Sequence, residues 1–133
     1  MDRILDALGE LLVASVRDES IERVAMMVRG EMKGETSEYV RGCLAGLDSR
    51  AIDSFVRVVP SLVDHVLHSL LAAVDESEDV DFLISDAGLV RASEESDGLA
   101  GELYGSRGWL ERFSRLYGAS DELDSPSRDN PVE

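Results

Sequence analysis

Lysine is almost missing from this chain. Lys33 is the one lysine among thirteen basic residues, and twenty-eight acidic residues outnumber them, for a formal charge of −15. Nucleic acid is therefore not an expected ligand, because phosphate binding needs a basic footprint. Anionic membrane surfaces are disfavoured on the same ground. Cysteine is equally scarce. Cys43 stands alone, so the chain forms no internal disulfide and no cysteine-based zinc site. That scarcity points to a reducing, cytoplasmic setting. The N-terminus lacks a basic start followed by an apolar run, so no signal peptide is expected. Aromatics are few, with three Phe, three Tyr and Trp109. The core must then rest on Leu, Val and Ala, which suits helices packed on helices.

Catalytic signatures are missing too. There is no G-x-G-x-x-G, no G-K-[ST] and no G-x-S-x-G, and no twelve-residue calcium loop. No catalytic residue and no cofactor is expected. The two histidines both fall in Asp64-His65-Val66-Leu67-His68. An i, i+3 histidine pair with a nearby carboxylate can share a metal. This gives one alternative reading, a small metal-binding protein or enzyme using Asp64, His65 and His68. On helical spacing both imidazoles point away from the apolar stripe, and His68 keeps company with Arg57, Ser61 and Asp64. That is the pattern of a solvated face, so no metal site is expected.

The most ordered feature present is Asp48 to Asp75. Ile52, Phe55, Val56, Val59, Val63, Val66, Leu67, Leu70 and Val74 fall in one sector of roughly 120° at 100° per residue. The register survives Pro60. One long, Pro-kinked central helix follows, with Asp48 as its N-cap. Its apolar sector is wide enough to need several neighbours, or a second copy if the chain is a subunit of a homo-oligomer. With Arg57 and Asp64 inside it, it reads as too short and too polar to span a membrane.

Around it the pattern predicts further helices. Ile4, Leu5, Leu8, Leu11 and Leu12 give a stripe over 2–16 that Val16 closes, with Asp2 and Asp6 at the positive end of the dipole. A second helix starts near Asp18–Ser20 and runs to Lys33, with Gly34 as its C-cap. A third is capped by Ser37 and lines up Tyr39, Val40, Cys43, Leu44 and Leu47, with Cys43 as a buried, inert thiol. Val80, Phe82 and Ile84 then alternate with polar or flanking residues, and Asp86-Ala87-Gly88 turns the chain into Leu89–Ala92. This predicts a small β-hairpin with Gly88 in the left-handed region. Trp109, Leu110, Phe113, Leu116 and Tyr117 share a face of a short C-terminal helix. Residues 103–117 carry a net +2, the one basic segment, and should dock on the acidic body with Trp109 and Phe113 as anchors. Residues 118–133, net −4, have almost nothing to bury and read as a disordered acidic tail. The expected fold class is mainly α, one domain over 1–117.

Residues 76–102 hold nine acids against Arg91, a local net of −8. Asp79, Asp81, Asp86, Glu94, Glu95 and Asp97 are the candidate partner-binding residues. Such a segment speeds encounter with a basic protein and selects for it. The stretch Ser96-Asp97-Gly98-Leu99-Ala100-Gly101-Glu102-Leu103, followed by Gly108-Trp109-Leu110-Glu111-Arg112-Phe113-Ser114, resembles the end of small acidic bacterial proteins of unknown function. Some of those are similar to immunity proteins encoded beside secreted toxins. The resemblance implies an interaction role, an immunity-like inhibitor of a basic partner protein, and names no catalytic residue. An acidic surface also serves solubility or high-salt adaptation.

Overall fold

The computed structural model describes residues 3–117. The chain is mainly α. It begins with a continuous helical rod made of α1 (Arg3–Glu10), a π-helical segment (Leu11–Asp18) and α2 (Glu19–Val28). Helix α3 (Glu35–Cys43) and the long α4 (Ser49–Glu76) follow. Strands β1 (Leu83–Ser85) and β2 (Leu89–Arg91) form an antiparallel hairpin. The chain closes with α5 (Ala92–Glu95), a 3₁₀ turn (Leu99–Glu102) and α6 (Trp109–Phe113). The acidic tail expected over 118–133, and Asp2, lie outside the described residues.

Two helices expected from the sequence are one rod. The predicted break near Asp18 is a π-helical segment instead, and both flanking residues, Glu10 and Glu19, keep helical dihedrals. An i→i+5 turn takes in one more residue than an α turn, so the α register slips. Val16, which α spacing places on the buried stripe, is exposed, while Arg17 and Asp18 turn inward. The rod ends earlier than Lys33. Glu31 N–H donates to the Met26 carbonyl at 2.8 Å and Gly30 N–H to that of Met27 at 3.2 Å. These two bonds, with Gly30 at φ +76°, are a Schellman stop. Gly34 does not end this helix but precedes α3, and Ser37 is a buried residue inside α3 rather than its cap.

Helix α3 is loosely covered. Val40 and Leu44 are half-buried, but Tyr39 and Leu47 are exposed. Cys43 is exposed as well, not buried. Ser37 is the one buried residue of this short helix, whose one close neighbour among the described elements is α2.

Helix α4 is unbroken through Pro60, and the Asp48 carboxylate caps it by accepting from Ala51 N–H at 2.9 Å. It runs antiparallel to the rod, since Arg17 meets Asp64 and Arg29 approaches Asp53. Its buried face is Val59, Asp64, Leu67, Leu71 and Val74. This face is rotated from the expected stripe, because Phe55, Val66 and Leu70 are exposed and Leu71 is fully buried. The 28-residue helix is also long and apolar enough by composition to cross a membrane, contrary to expectation. Its most apolar 18-residue window has a mean hydropathy of 1.3 and is 22% buried. Two charges do not break such a stretch, and that of Asp64 is met internally by Arg17.

The core gathers one end of the molecule. Leu5, Leu8, Leu12 and Val13 of the rod meet Leu67, Leu71 and Val74 of α4. Ala92, Leu99, Leu103, Trp109 and Leu110 close over them, with Phe82 and Ile84 of the hairpin at the margin. The hairpin is present with Ser85 opposite Leu89, shorter than the alternation suggested, and Gly88 is at φ +139° beside Ala87 at φ +56°. Asp75 ties α4 to the next turn, accepting from Leu99 N–H at 2.8 Å and Ala100 N–H at 2.9 Å. The Trp109 ring lies flush on the backbone of Gly9, where a Cβ would sit 2.6 Å from three ring atoms.

Gly9→Ala should therefore destabilise the fold by about 1–3 kcal/mol, overpacking outweighing the better helix propensity. Gly42→Ala, in α3 with nothing within 4 Å of its added Cβ, should instead be neutral or stabilise by up to about 1 kcal/mol. Urea unfolding of the two variants measures both signs.

Candidate functional site

The rotation of α4 and the π slip of the rod have one joint result. Arg17, 1% exposed, and Asp18, 0% exposed, are brought against Asp64 in the interior. Arg17 Nε donates to Asp64 Oδ1 at 2.7 Å and Nη2 to Oδ2 at 3.3 Å. Its Nη1 donates to Asp18 Oδ1 and to Ser114 Oγ, each at 2.8 Å. Asp18 also accepts from Ser114 Oγ and from Arg115 N–H, both at 2.8 Å. The Tyr117 ring lies 5.8 Å from the guanidinium carbon. Burial works against the Arg17 charge, but hydrogen bonds and attraction from Asp64 and Asp18 outweigh it and hold its pKa above the ordinary value. This node links the rod, α4 and the C-terminal segment, and its polar atoms face one another. Its chemistry is that of a clamp, since each carboxylate is spent on internal donors.

The sequence reading missed Arg17, Asp18 and Ser114. The available signal is an Arg-Asp pair inside an otherwise unbroken helical pattern, which on spacing alone marks the start of a new helix. It also placed Asp64 on a solvated face with His68. Instead Asp64 is buried, and His68 is half-buried with its ring 5.5 Å from that of Tyr104. His65 is exposed. Asp64, which a metal would need, is already bound to Arg17, so the three residues do not converge on a shared centre. Among the described residues no group of three or more His, Cys, Asp or Glu side chains is placed to hold a metal.

The basic C-terminal segment docks on the rod through ion pairs. Arg112 reaches Asp6 at 2.8 Å and lies over the Phe113 ring, and Arg115 grips both oxygens of Glu22. Trp109 is fully buried and Phe113 packs at the core margin.

The six acids singled out in the sequence fall at the hairpin end, in unequal roles. Asp79, Glu95 and Asp97 are exposed. Glu94 is exposed with Arg91 at 3.8 Å, and Asp86, in the hairpin turn, pairs with Arg3 at 2.9 Å. Asp81 has an internal role. Its side chain is 6% exposed and accepts from Arg91 Nε at 3.1 Å, Phe82 N–H at 2.8 Å, Ser93 N–H at 3.2 Å and the Ser93 hydroxyl. Burial pushes its carboxyl up, but the bonds from Ser93, Phe82 and Arg91 prevail and hold it below the usual carboxylate range. Asp81 and Glu94 thus flank Arg91, and Asp86 sits apart at the turn.

No family model, no curated protein and no solved structure matches the chain.

Arg17→Met should cost about 3–5 kcal/mol, because it strands two buried carboxylates. Adding Asp64→Leu should recover a large part of that loss, and a double-mutant cycle in urea measures the coupling. The hairpin should respond to acid in a defined direction. Asp81 has a lower pKa folded than unfolded, so its contribution is full above the unfolded carboxylate value. It is lost as pH falls through the folded value. Protection factors at the Phe82 and Ser93 amides, the exchange rates corrected for intrinsic pH dependence, should fall across that window, and Asp81→Asn should abolish this change.

Proposed function

We propose that this chain is an acidic protein-binding module whose partner is a basic protein, of the kind an immunity-like inhibitor represents. The observation that carries this is how the charges are used. Arg17, Arg112 and Arg115 are paired with carboxylates of the same chain, the first of them in the interior, while Asp79, Glu94, Glu95 and Asp97 stand exposed at one end. Arg91 is the one base within that segment, and it is shared with Asp81 and Glu94. The hairpin holds the acidic edge in a fixed shape, through Asp81 within and Asp86 against Arg3 at its tip. Four exposed carboxylates on such an edge steer a basic surface and reject an acidic one. Asp81 supports the edge rather than touching the partner.

The test is a pull-down from the native host with wild-type protein and with Glu94→Lys, Glu95→Lys, Asp97→Lys combined. A basic protein should be held by the wild type, released as salt rises, and not held by the triple variant. Equal retention by the two proteins would refute the acidic edge as the binding surface.

A further inference from the structure

The rotation of α4 leaves a second surface unused by the acidic edge. Phe55, Val58, Leu62, Val66 and Leu70 follow one another at three- and four-residue steps, and each is 38–67% exposed. Ala73, also exposed, extends the row. No charge interrupts it. On helical spacing Arg57 projects from the opposite side, and Asp64 is turned inward to Arg17. Beside this ridge runs a groove of about 330 Å³, lined by Val16, Ser20, Leu62, Val66 and Leu70 among others, where α4 meets the rod. Single exposed apolar residues are ordinary, but a continuous row along one helix is an interaction surface.

We propose that this face is covered by a second copy of the chain, with the two α4 helices antiparallel about a two-fold axis between Leu62 and Val66. A two-fold contact requires one surface that is complementary to itself. Ridge and groove lie side by side on the same face, so the ridge of each copy enters the groove of the other. The row is also balanced about its midpoint. Antiparallel pairing sets Leu62 against Val66, Val58 against Leu70, and the large Phe55 against the small Ala73. From Phe55 to Ala73 is ~27 Å of helix, and two helices side by side span ~20 Å. Taken across α4 and the rod beside it, that face is ~540 Å² per partner, at the lower end of what a stable interface buries.

Charge selects the orientation. The −8 segment, 76–102, follows the C-terminal end of α4, whereas residues 29–57 hold five bases and five acids. Antiparallel packing sets each acidic segment beside the balanced end of the other copy. Parallel packing would bring two −8 segments together and be opposed by their repulsion. A basic helix from another protein finds no acid in the row to hold it. A bilayer would have to accept the rest of a −15 body at its surface.

Sedimentation equilibrium of the full chain should give twice 14.5 kDa at micromolar concentration, with tighter association as salt rises. Leu62→Lys with Val66→Lys, both at exposed positions, should give the monomer mass with an unchanged far-ultraviolet circular dichroism spectrum. In a Cys43→Ser background, Val58→Cys and Leu70→Cys should each form little disulfide dimer alone and form it readily when mixed. The proposal is overturned by a monomeric wild type at all concentrations and salts, or by a dimer that survives the two lysines. It is equally overturned by self-linking of each single cysteine variant, or by a monomer that floats with neutral lipid vesicles.

Discussion

A buried guanidinium holds this molecule together. Arg17 cannot shed its proton, and its removal from water is opposed by a desolvation cost of several kcal/mol. It is tolerated because Asp64 takes two of its donors in a fork and Asp18 and Ser114 take another. Everything near it is set by that demand. The rod must turn Arg17 and Asp18 inward, which the π-helical segment achieves. Helix α4 must present Asp64 to it, which rotates the whole helix. The C-terminal segment must bring Ser114 and Arg115 N–H to finish the shell of Asp18. Apolar packing stabilises this arrangement but does not choose it, since Leu and Val tolerate small rotations that a forked ion pair does not.

The rotation has an outward face. Turning Asp64 in turns Phe55, Leu62 and Val66 out, so the clamp and the exposed apolar row are two sides of one event. The acidic hairpin end is a separate device. It is shaped by Asp81, whose carboxylate gathers Arg91, Phe82 N–H and Ser93 across the hairpin base. The molecule thus divides its charge. Arg17, Arg112 and Arg115 are spent on pairs within the chain, and Asp79, Glu94, Glu95 and Asp97 are displayed at the hairpin end.

This division explains what was legible in the sequence. Periodicity found α4, its Asp48 cap and its passage through Pro60, because those features are local. The hairpin and the anchoring role of Trp109 were legible too, from turn chemistry and from the scarcity of other aromatics. The acidic edge was visible as composition, but not the division of labour within it, since the engagement of Asp81 depends on Ser93 twelve residues away. The clamp was not legible. An α-helical wheel assumes one period throughout, and a π turn breaks that assumption without any glycine or proline to announce it. A charge in an apolar helix is normally solvated, and nothing near Asp64 in the chain reveals Arg17, 47 residues away. The apolar neighbours of Cys43 suggest burial, but a short helix covered from the side of α2 alone leaves it exposed.

The seating of Trp109 on Gly9 has a practical side. The chain has a single tryptophan, its ring is fully enclosed, and the segment carrying it seats that ring on Gly9 of α1. Indole fluorescence in this protein is therefore a clean optical gauge of one event, the attachment of the C-terminal segment to α1. Its emission moves to the red when that attachment opens, whether or not the long helices have parted. The molecule carries its own dye at the joint where its last segment closes, and no label is needed to watch that joint work.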